Sequence, residues 1–272
     1  MSKRLGGARI TEWEENEAFA FDAEVLREFG IGSIKELRDD HLVLSDERLA
    51  MHLRPFGPPV APYRFALYQL QDLHHKRVLD YCAGTGESTV IIAKKGPESV
   101  EAFDISPLAV EVARKRMTAN GVSDIVRVQV MSAYSMAYRD DYFDVVFGNA
   151  ALHHLDVAAA MKEILRVLRP GGKAVFREPY TGSKLLKVVR RMVPVKGRVS
   201  DNERQLTLKD IACITEGFSA SKVRFMGLLS RLDRFVRHAT VVKALASIDA
   251  FLLDHISLLD SYARSFVIVL TK

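Results

Sequence analysis

The chain has 272 residues, 48% of them hydrophobic, which is enough to bury the core of one α/β domain with additions. Its two cysteines, Cys82 and Cys213, are far apart, which excludes a disulfide framework and a cysteine zinc site and is typical of a reducing compartment. No apolar run reaches the length of a membrane span, and the first residues lack the apolar stretch of a signal peptide. These features predict a cytoplasmic protein without a metal site.

Charge is unevenly distributed. The net charge is +5, yet residues 183–243 hold 14 Lys/Arg and 5 Asp/Glu, a net +9, while the rest of the chain carries −4. Residues 184–198 contain six Lys/Arg and no acid among apolar residues, which predicts a basic helix. Such a helix can contact a membrane surface or an anionic substrate, or it can simply form a solvated basic surface.

The first 75 residues give no clear sheet signal and predict an N-terminal helical extension, or lid. Residues 17–29 predict an amphipathic helix with Phe19, Val25 and Leu26 as its apolar points. A proline-rich stretch at 54–62 ends helical structure, and a second helix is predicted for 63–74. Residues 76–272 then form the main domain.

A strand, a glycine turn and a helix follow one another from residue 77. Residues 77–81 predict a buried strand, the next residues are small, and a helix is predicted from Glu87. Backbone in such a turn approaches a ligand closely, and the N–H groups of the helix face it. Twenty residues after Gly84, a second strand ends in Asp104, an acid that can accept hydrogen bonds from a ribose diol.

Strands and helices alternate regularly after this point. Helix N-caps are predicted at Ser106, Asp156 and Thr207. Further strands are predicted at 125–130, 143–148, 173–177, 223–226 and 265–271. The pattern indicates a doubly wound, mostly parallel sheet, with a helical insertion or cap at about 228–262 before the last strand.

Two motifs resemble those of class I S-adenosylmethionine-dependent methyltransferases. The first is Asp80-x-Cys82-x-Gly84-x-Gly86, with Cys82 where the family usually has glycine. Cysteine fits there if its backbone angles stay in an allowed region. The second runs Phe143-Asp144-Val145-Val146 to Asn149 and then Leu152-His153-His154, as in small-molecule members. The resemblance covers about residues 70–180 and implies a seven-stranded Rossmann-like fold with an antiparallel pair of strands at one edge.

The resemblance also implies the ligand, S-adenosylmethionine, with S-adenosylhomocysteine as the product. Asp80 is expected to hold the methionine amino group and Asp104 the ribose diol. Ser132 and Ala133 would contact adenine, and Asn149 and Ala150 would line the sulfonium side. The full set of expected cofactor residues is Asp80, Tyr81, Cys82, Ala83, Gly84, Gly86, Asp104, Ile105, Ser132, Ala133, Asn149 and Ala150.

Acceptor-side residues are harder to assign. His153 and His154 follow the strand that lines the cofactor and are the candidate general bases, although either ring can instead cap a loop. Candidates for an apolar acceptor pocket are Phe56, Tyr63, Phe235 and Phe251, each of which can equally pack the cap onto the core.

The favoured function is O- or C-methylation of a small, partly hydrophobic molecule, and the alternative is an RNA or other nucleic-acid methyltransferase that uses the basic C-terminal third. Two observations argue against the alternative. Methylation of base amino groups usually needs a Pro-Pro-aromatic turn, which is absent from Asn149-Ala150-Ala151-Leu152. Methylation of cytosine carbon needs a cysteine nucleophile, often in a Pro-Cys pair, and neither cysteine here follows a proline. Two further functions also stay open: a binding module that keeps the fold but does not bind the donor, and an enzyme that uses the same cofactor for a different reaction. The sequence does not indicate the oligomeric state.

Overall fold

The computed structural model describes residues 4–5, 8–9, 11–53, 61–180, 182–183, 204–229 and 239–272. The predictions for Phe56, Phe235 and the basic segment 184–198 lie outside these residues. Within the described ranges, none of the helices combines the length and apolar character needed to cross a bilayer.

A seven-stranded sheet forms the centre of the molecule, in the order β5-β4-β3-β6-β7-β9-β8. The first five strands of this order run parallel, and β9 runs antiparallel to both β7 and β8. The predicted doubly wound, mostly parallel sheet with an antiparallel edge is confirmed. A short antiparallel pair, β1 and β2, precedes it. The strands are β1 (Arg4–Leu5), β2 (Ala8–Arg9), β3 (Arg77–Tyr81), β4 (Ser99–Asp104), β5 (Val126–Val130), β6 (Phe143–Asn149), β7 (Leu168–Pro179), β8 (Ala220–Met226) and β9 (Ser265–Thr271).

Helices cover both faces of the sheet, so its central strands are buried on both sides, as parallel strands usually are. One apolar layer packs α6 and α7 against rings such as Tyr81, Phe143 and Phe176. The other packs α3, α4 and α5 against side chains such as Val100 and Phe147. The helices are α1 (Glu12–Phe29), α2 (Asp46–Leu53), α3 (Pro62–Gln69), α4 (Glu87–Ala93), α5 (Pro107–Ala119), α6 (Val157–Val167), α7 (Leu208–Thr215) and α8 (Ala239–His255).

Helix starts follow local chemistry. Ser106 accepts a hydrogen bond from the amide of Ala109, Asp156 from that of Ala159, and Thr207 forms a capping box with Asp210. These side chains satisfy amides that have no partner inside the helix. The three predicted N-caps are confirmed.

Several predicted boundaries were wrong. The helix predicted for 63–74 ends at Gln69, and the strand predicted for 223–226 begins at Ala220. Helix α1 begins at Glu12, five residues before the predicted start, and Phe19 is 77% exposed rather than an apolar contact. Strand β7 begins at Leu168 rather than at residue 173, because Leu168 pairs with Phe143 before a register shift brings Lys173 opposite Val145. The helix start has a local signal, the capping box between Thr11 and Glu14, whereas the strand start depends on tertiary pairing.

Helix α1 is fastened to the N-terminal end of α5. Asp22 accepts hydrogen bonds from the Ser106 hydroxyl and, at 3.1 Å, from the Leu108 amide. Val25 packs beneath it in a small apolar cluster with Leu37, Leu42, Ala109 and Val112. These contacts place α1 across the carboxyl ends of the parallel strands.

Gly86 is required where α4 meets α5. Its φ is +82°, and a Cβ there would lie 2.9 Å from both Ala113 Cβ and Met117 Cε. We expect Gly86→Ala to lower the free energy of unfolding by at least about 2 kcal/mol, because a left-handed alanine costs about 1–2 kcal/mol and overpacking about 1–3 kcal/mol more.

The matched control is Gly121→Ala, since Gly121 has a φ of +63° and nothing within 4 Å of the added Cβ. It should show the conformational cost alone. Urea denaturation of both variants measures the difference, and equal losses would contradict the packing argument.

Candidate functional site

A cavity of about 480 Å³ lies at the carboxyl ends of β3, β4 and β6. Strand order reverses between β3 and β6, and open α/β sheets bind ligands at such a switch point. The loops after these strands form its floor, and α1 covers it through residues such as Phe21 and Val25. The fold therefore encloses a site where the sequence predicts one.

The loop after β3 alternates left-handed residues. Cys82, Gly84 and Gly86 have φ values of +53°, +53° and +82°. The amide of Ala83 donates to the carbonyl of Phe103 at 2.8 Å, which ties the loop to β4. Cys82 thus adopts a left-handed conformation, which glycine favours and which is a small allowed region for other residues. Burial, with Asp104 nearby, raises the pKa of its thiol well above the usual value, so the group is a neutral thiol.

Asp80 lies beneath this loop, 1% exposed, and accepts a hydrogen bond from Thr89 Oγ1 at 2.6 Å. Burial raises the pKa of its carboxyl to about 7, and the charge of Asp104 adds to the rise, while the bond from Thr89 opposes it. A cation beside such a buried carboxyl stabilises its ionised form strongly, because burial has removed most of the stabilisation by water.

Asp104 links the second strand to the loop. Its carboxylate accepts hydrogen bonds from the amides of Gly84 at 2.8 Å and Ser106 at 3.0 Å. Burial raises its pKa despite these bonds. Each carboxylate oxygen has two lone pairs, so Asp104, which lines the cavity, retains capacity to accept from a ligand.

The expected adenine contacts are placed differently from one another. Ala133 lines the cavity, as does Ile105 of the wider set of expected cofactor residues. The Ser132 hydroxyl instead donates to the Glu14 carboxylate of α1 and accepts from the Tyr134 amide at 3.1 Å. Tyr81 also lies behind the cavity wall, where its hydroxyl donates to the Ala133 carbonyl at 3.3 Å. Ser132 and Tyr81 therefore do not line the cavity, but they hold the residues that do.

The turn after β6 brings Asn149, Ala150 and His154 to the cavity, whereas His153 does not line it. His153 Nδ1 instead lies 2.9 Å from Glu178 Oε2. His154 is 9% exposed, with its Nδ1 3.9 Å from a carboxylate oxygen of Glu17. Burial, together with the adjacent His153, lowers the pKa of His154 to about 3, so its imidazole is neutral near pH 7.

Sequence reasoning missed the acidic wall that α1 presents to the cavity. Within the part of the chain that the structure describes, the lining contains no Lys or Arg. Glu87 additionally pairs with Arg48 of α2 at 2.6 Å. The acids of α1 and Phe21 recur every three or four residues, which places them on one face of the helix. That spacing was the sequence signal that could have predicted an acidic face. The lining carboxylates are Glu14, Glu17, Glu24, Glu28, Asp80, Glu87 and Asp104.

Of the candidate acceptor-pocket residues that can be located, Tyr63 lines the cavity and Phe251 does not. The Tyr63 hydroxyl lies 3.0 Å from Ser88 Oγ. Phe251 is 61% exposed and stacks on His255 of its own helix, with the ring centres 4.5 Å apart. No cluster of His, Cys, Asp and Glu able to hold a metal ion occurs among the residues described.

Comparison with known proteins relates a central segment of the chain to methyltransferases. Residues 79–176 match the family model described as a methyltransferase domain. A demethylmenaquinone methyltransferase of Lactiplantibacillus plantarum is 32% identical over 146 residues, which cover 50% of this chain and 62% of the relative. Across the first three curated relatives, the chain spans between 41% and 62% of their length.

Solved structures share the fold at low identity. The geranyl diphosphate C-methyltransferase of Streptomyces coelicolor A3(2), crystallised with S-adenosyl-L-homocysteine, superposes with a TM-score of 0.59 at 14% identity, over 97% of this chain and 99% of that one. The [4+2]-cyclase SpnF superposes with a TM-score of 0.54 at 16% identity, over 96% of both chains. A fold shared with a cyclase leaves the reaction to be argued from the site.

The left-handed Cys82 yields a stability prediction. Cys82→Gly should be more stable than Cys82→Ala by about 1 kcal/mol, because alanine keeps the Cβ that makes this conformation costly. Both variants lose the thiol, so their difference isolates the backbone. Chemical denaturation measures it, and an alanine variant as stable as the glycine variant would contradict the conformational argument.

Proposed function

We propose that the chain, whose residues 79–176 form a class I S-adenosylmethionine-dependent methyltransferase domain, transfers a methyl group from S-adenosylmethionine to a small molecule. The observation that carries this proposal is the convergence of Asp80, Gly84 and Asp104 on one enclosed cavity at the switch point of the sheet. S-adenosylhomocysteine is the other product.

The donor fits this cavity part by part. Asp80 faces the methionine amino group, and the loop from Cys82 to Gly86 allows close backbone approach. Asp104 accepts from the ribose diol, while Ile105 and Ala133 lie against adenine. The carboxylate-rich wall favours a ligand with a sulfonium and an ammonium group.

Methyl transfer from a sulfonium is an in-line displacement with an activated donor, so the protein chiefly positions the acceptor and excludes water. In this proposal residues 1–75 act as the lid, since α1 already covers the cavity. Residues 76–272 form the methyltransferase domain, with a helical cap at about 228–262.

The acceptor enters on the side of Asn149, Tyr63 and His154. Phe21 and Leu155 add apolar surface there, which supports a small and partly hydrophobic acceptor, and a relative named demethylmenaquinone methyltransferase supports O- or C-methylation. Neutral His154 can accept a hydrogen bond from an acceptor hydroxyl and orient it. Its lowered pKa makes it a weaker proton acceptor than an ordinary histidine.

The nucleic-acid alternative gains little support from the described cavity, whose lining has none of the Lys or Arg that phosphates attract. A contact of residues 184–198 with a membrane or an anionic substrate stays a prediction from the sequence.

Asp104→Ala should weaken S-adenosylmethionine binding at least tenfold, because charge-assisted hydrogen bonds contribute about 1.5–3 kcal/mol. Calorimetry measures the change. Glu111→Gln on the exposed face of α5 is the control for altered net charge and should bind as the wild type does. Unchanged affinity in Asp104→Ala would remove the donor assignment.

Donor affinity should also depend on Asp80. Its raised pKa of about 7 leaves much of the free protein protonated below pH 7, whereas the donor ammonium favours the ionised carboxylate. Binding should therefore release a proton, and affinity should rise as pH increases through about 7. Calorimetry in buffers of different ionisation enthalpy tests this, and the pH dependence should diminish in Asp80→Asn. A flat profile in the wild type would contradict it.

A further inference from the structure

Glu178 at the end of β7 is fully buried, and both of its carboxylate oxygens are engaged by one turn. Oε1 accepts from the amides of Ala151 and Leu152, each at 2.9 Å, and Oε2 lies 2.9 Å from His153 Nδ1. A carboxylate can remain inside a protein only with such compensating donors. Here the donors are three consecutive residues of the segment that borders the cavity.

The same turn contains a strained residue. Ala150 has a φ of +57°, and its amide donates to the Arg177 carbonyl at 2.7 Å. Left-handed backbone at a non-glycine residue persists when surrounding contacts enforce it. Two adjacent residues of β7, Arg177 and Glu178, supply those contacts.

The two neighbouring imidazoles therefore point in different directions. His153 turns inward to Glu178, while His154 faces the cavity, with the ring centres 4.0 Å apart. The bond to Glu178 also favours a proton on Nδ1 of His153. On the other side of His154, Glu17 of α1 is the nearby charged group.

We propose that Glu178 is a positioning residue for the acceptor side of the site, holding the turn from Ala150 to His154 so that His154 faces the cavity. This inference rests on the proposed methyl transfer for its functional meaning. Its structural content concerns the protein without any acceptor.

The test compares Glu178→Gln, Glu178→Ala and the wild type by NMR of ¹⁵N-labelled histidine and by amide hydrogen exchange. Glutamine keeps an oxygen for the two amides but presents an NH₂ group to His153. Glu178→Gln should therefore retain slow exchange at Ala151 and Leu152 while the proton of His153 moves to Nε2. In Glu178→Ala both amides should exchange at least about tenfold faster, and His154 should begin to titrate toward its ordinary pKa of about 6.5.

Glu101→Gln, a change at another buried acid of the parallel sheet, is the control for a general loss of stability and should leave both histidines unchanged. The inference is overturned if Glu178→Gln leaves the His153 tautomer as in the wild type, or if Glu178→Ala leaves His154 buried and non-titrating. Should Glu178→Ala fail to fold, the tautomer in Glu178→Gln decides alone.

Donor binding separates this inference from the proposed function. S-adenosylmethionine affinity measured by calorimetry should change less than about threefold in Glu178→Gln, since Asp80 and Asp104 are untouched and the glutamine oxygen still accepts from the amides that hold the turn after Ala150. Absence of donor binding in the wild type would sink the proposed function while the histidine measurements still decide the role of Glu178. Loss of donor affinity confined to Glu178→Gln would overturn the acceptor-side assignment.

Discussion

The Asp104 carboxylate holds the site together, because its two oxygens join parts of the chain that are distant in sequence. It binds the Gly84 amide of the loop after β3 and the Ser106 amide at the start of α5. The Ser106 hydroxyl then donates to Asp22 of α1, so the covering helix is fastened to the same point. Buried charge-assisted bonds of this kind are strong and directional, which is why the loop, the helix and the covering segment share one geometry.

The cavity wall carries an electrostatic cost that a ligand can relieve. Burial raises the pKa of Asp80, Asp104 and Glu28, so each of these groups is less stable as an anion than it would be in water. A cation entering the cavity favours the ionised forms and offsets part of that desolvation. In the proposed methyl transfer, the sulfur loses its charge when the methyl group leaves, and this part of the stabilisation disappears. Under that proposal, the acids that help to bind the donor also help to release its product.

Local signals in the sequence were sufficient for most strands, the three N-caps and the position of the loop, since each depends on residues a few positions apart, whereas the seven-stranded sheet with its antiparallel edge followed from the family resemblance. Long-range contacts explain what the sequence could not predict. Of the apolar points predicted for α1, Val25 does face inward, but Phe19 is exposed and acids share the inward face because the helix covers a polar cavity. The left-handed backbone of Cys82 was indicated only by the glycine that the family usually has there, and Glu178 lies about 25 residues from the turn whose amides donate to it. Pairing across such distances is decided by the fold.

The cavity is lined partly by residues within the match to the family model and partly by residues outside it. Residues 79–176 match the family model and contain Asp80, Asp104 and the turn at His154. Helix α1 lies outside this match, yet it supplies Glu17, Phe21 and Glu24 to the cavity wall. Because discrimination between acceptors depends on contacts made to the acceptor itself, it can change through α1 while the donor site stays the same. Under the proposed function, a relative that shares the matched residues can thus share the donor and still methylate a different molecule.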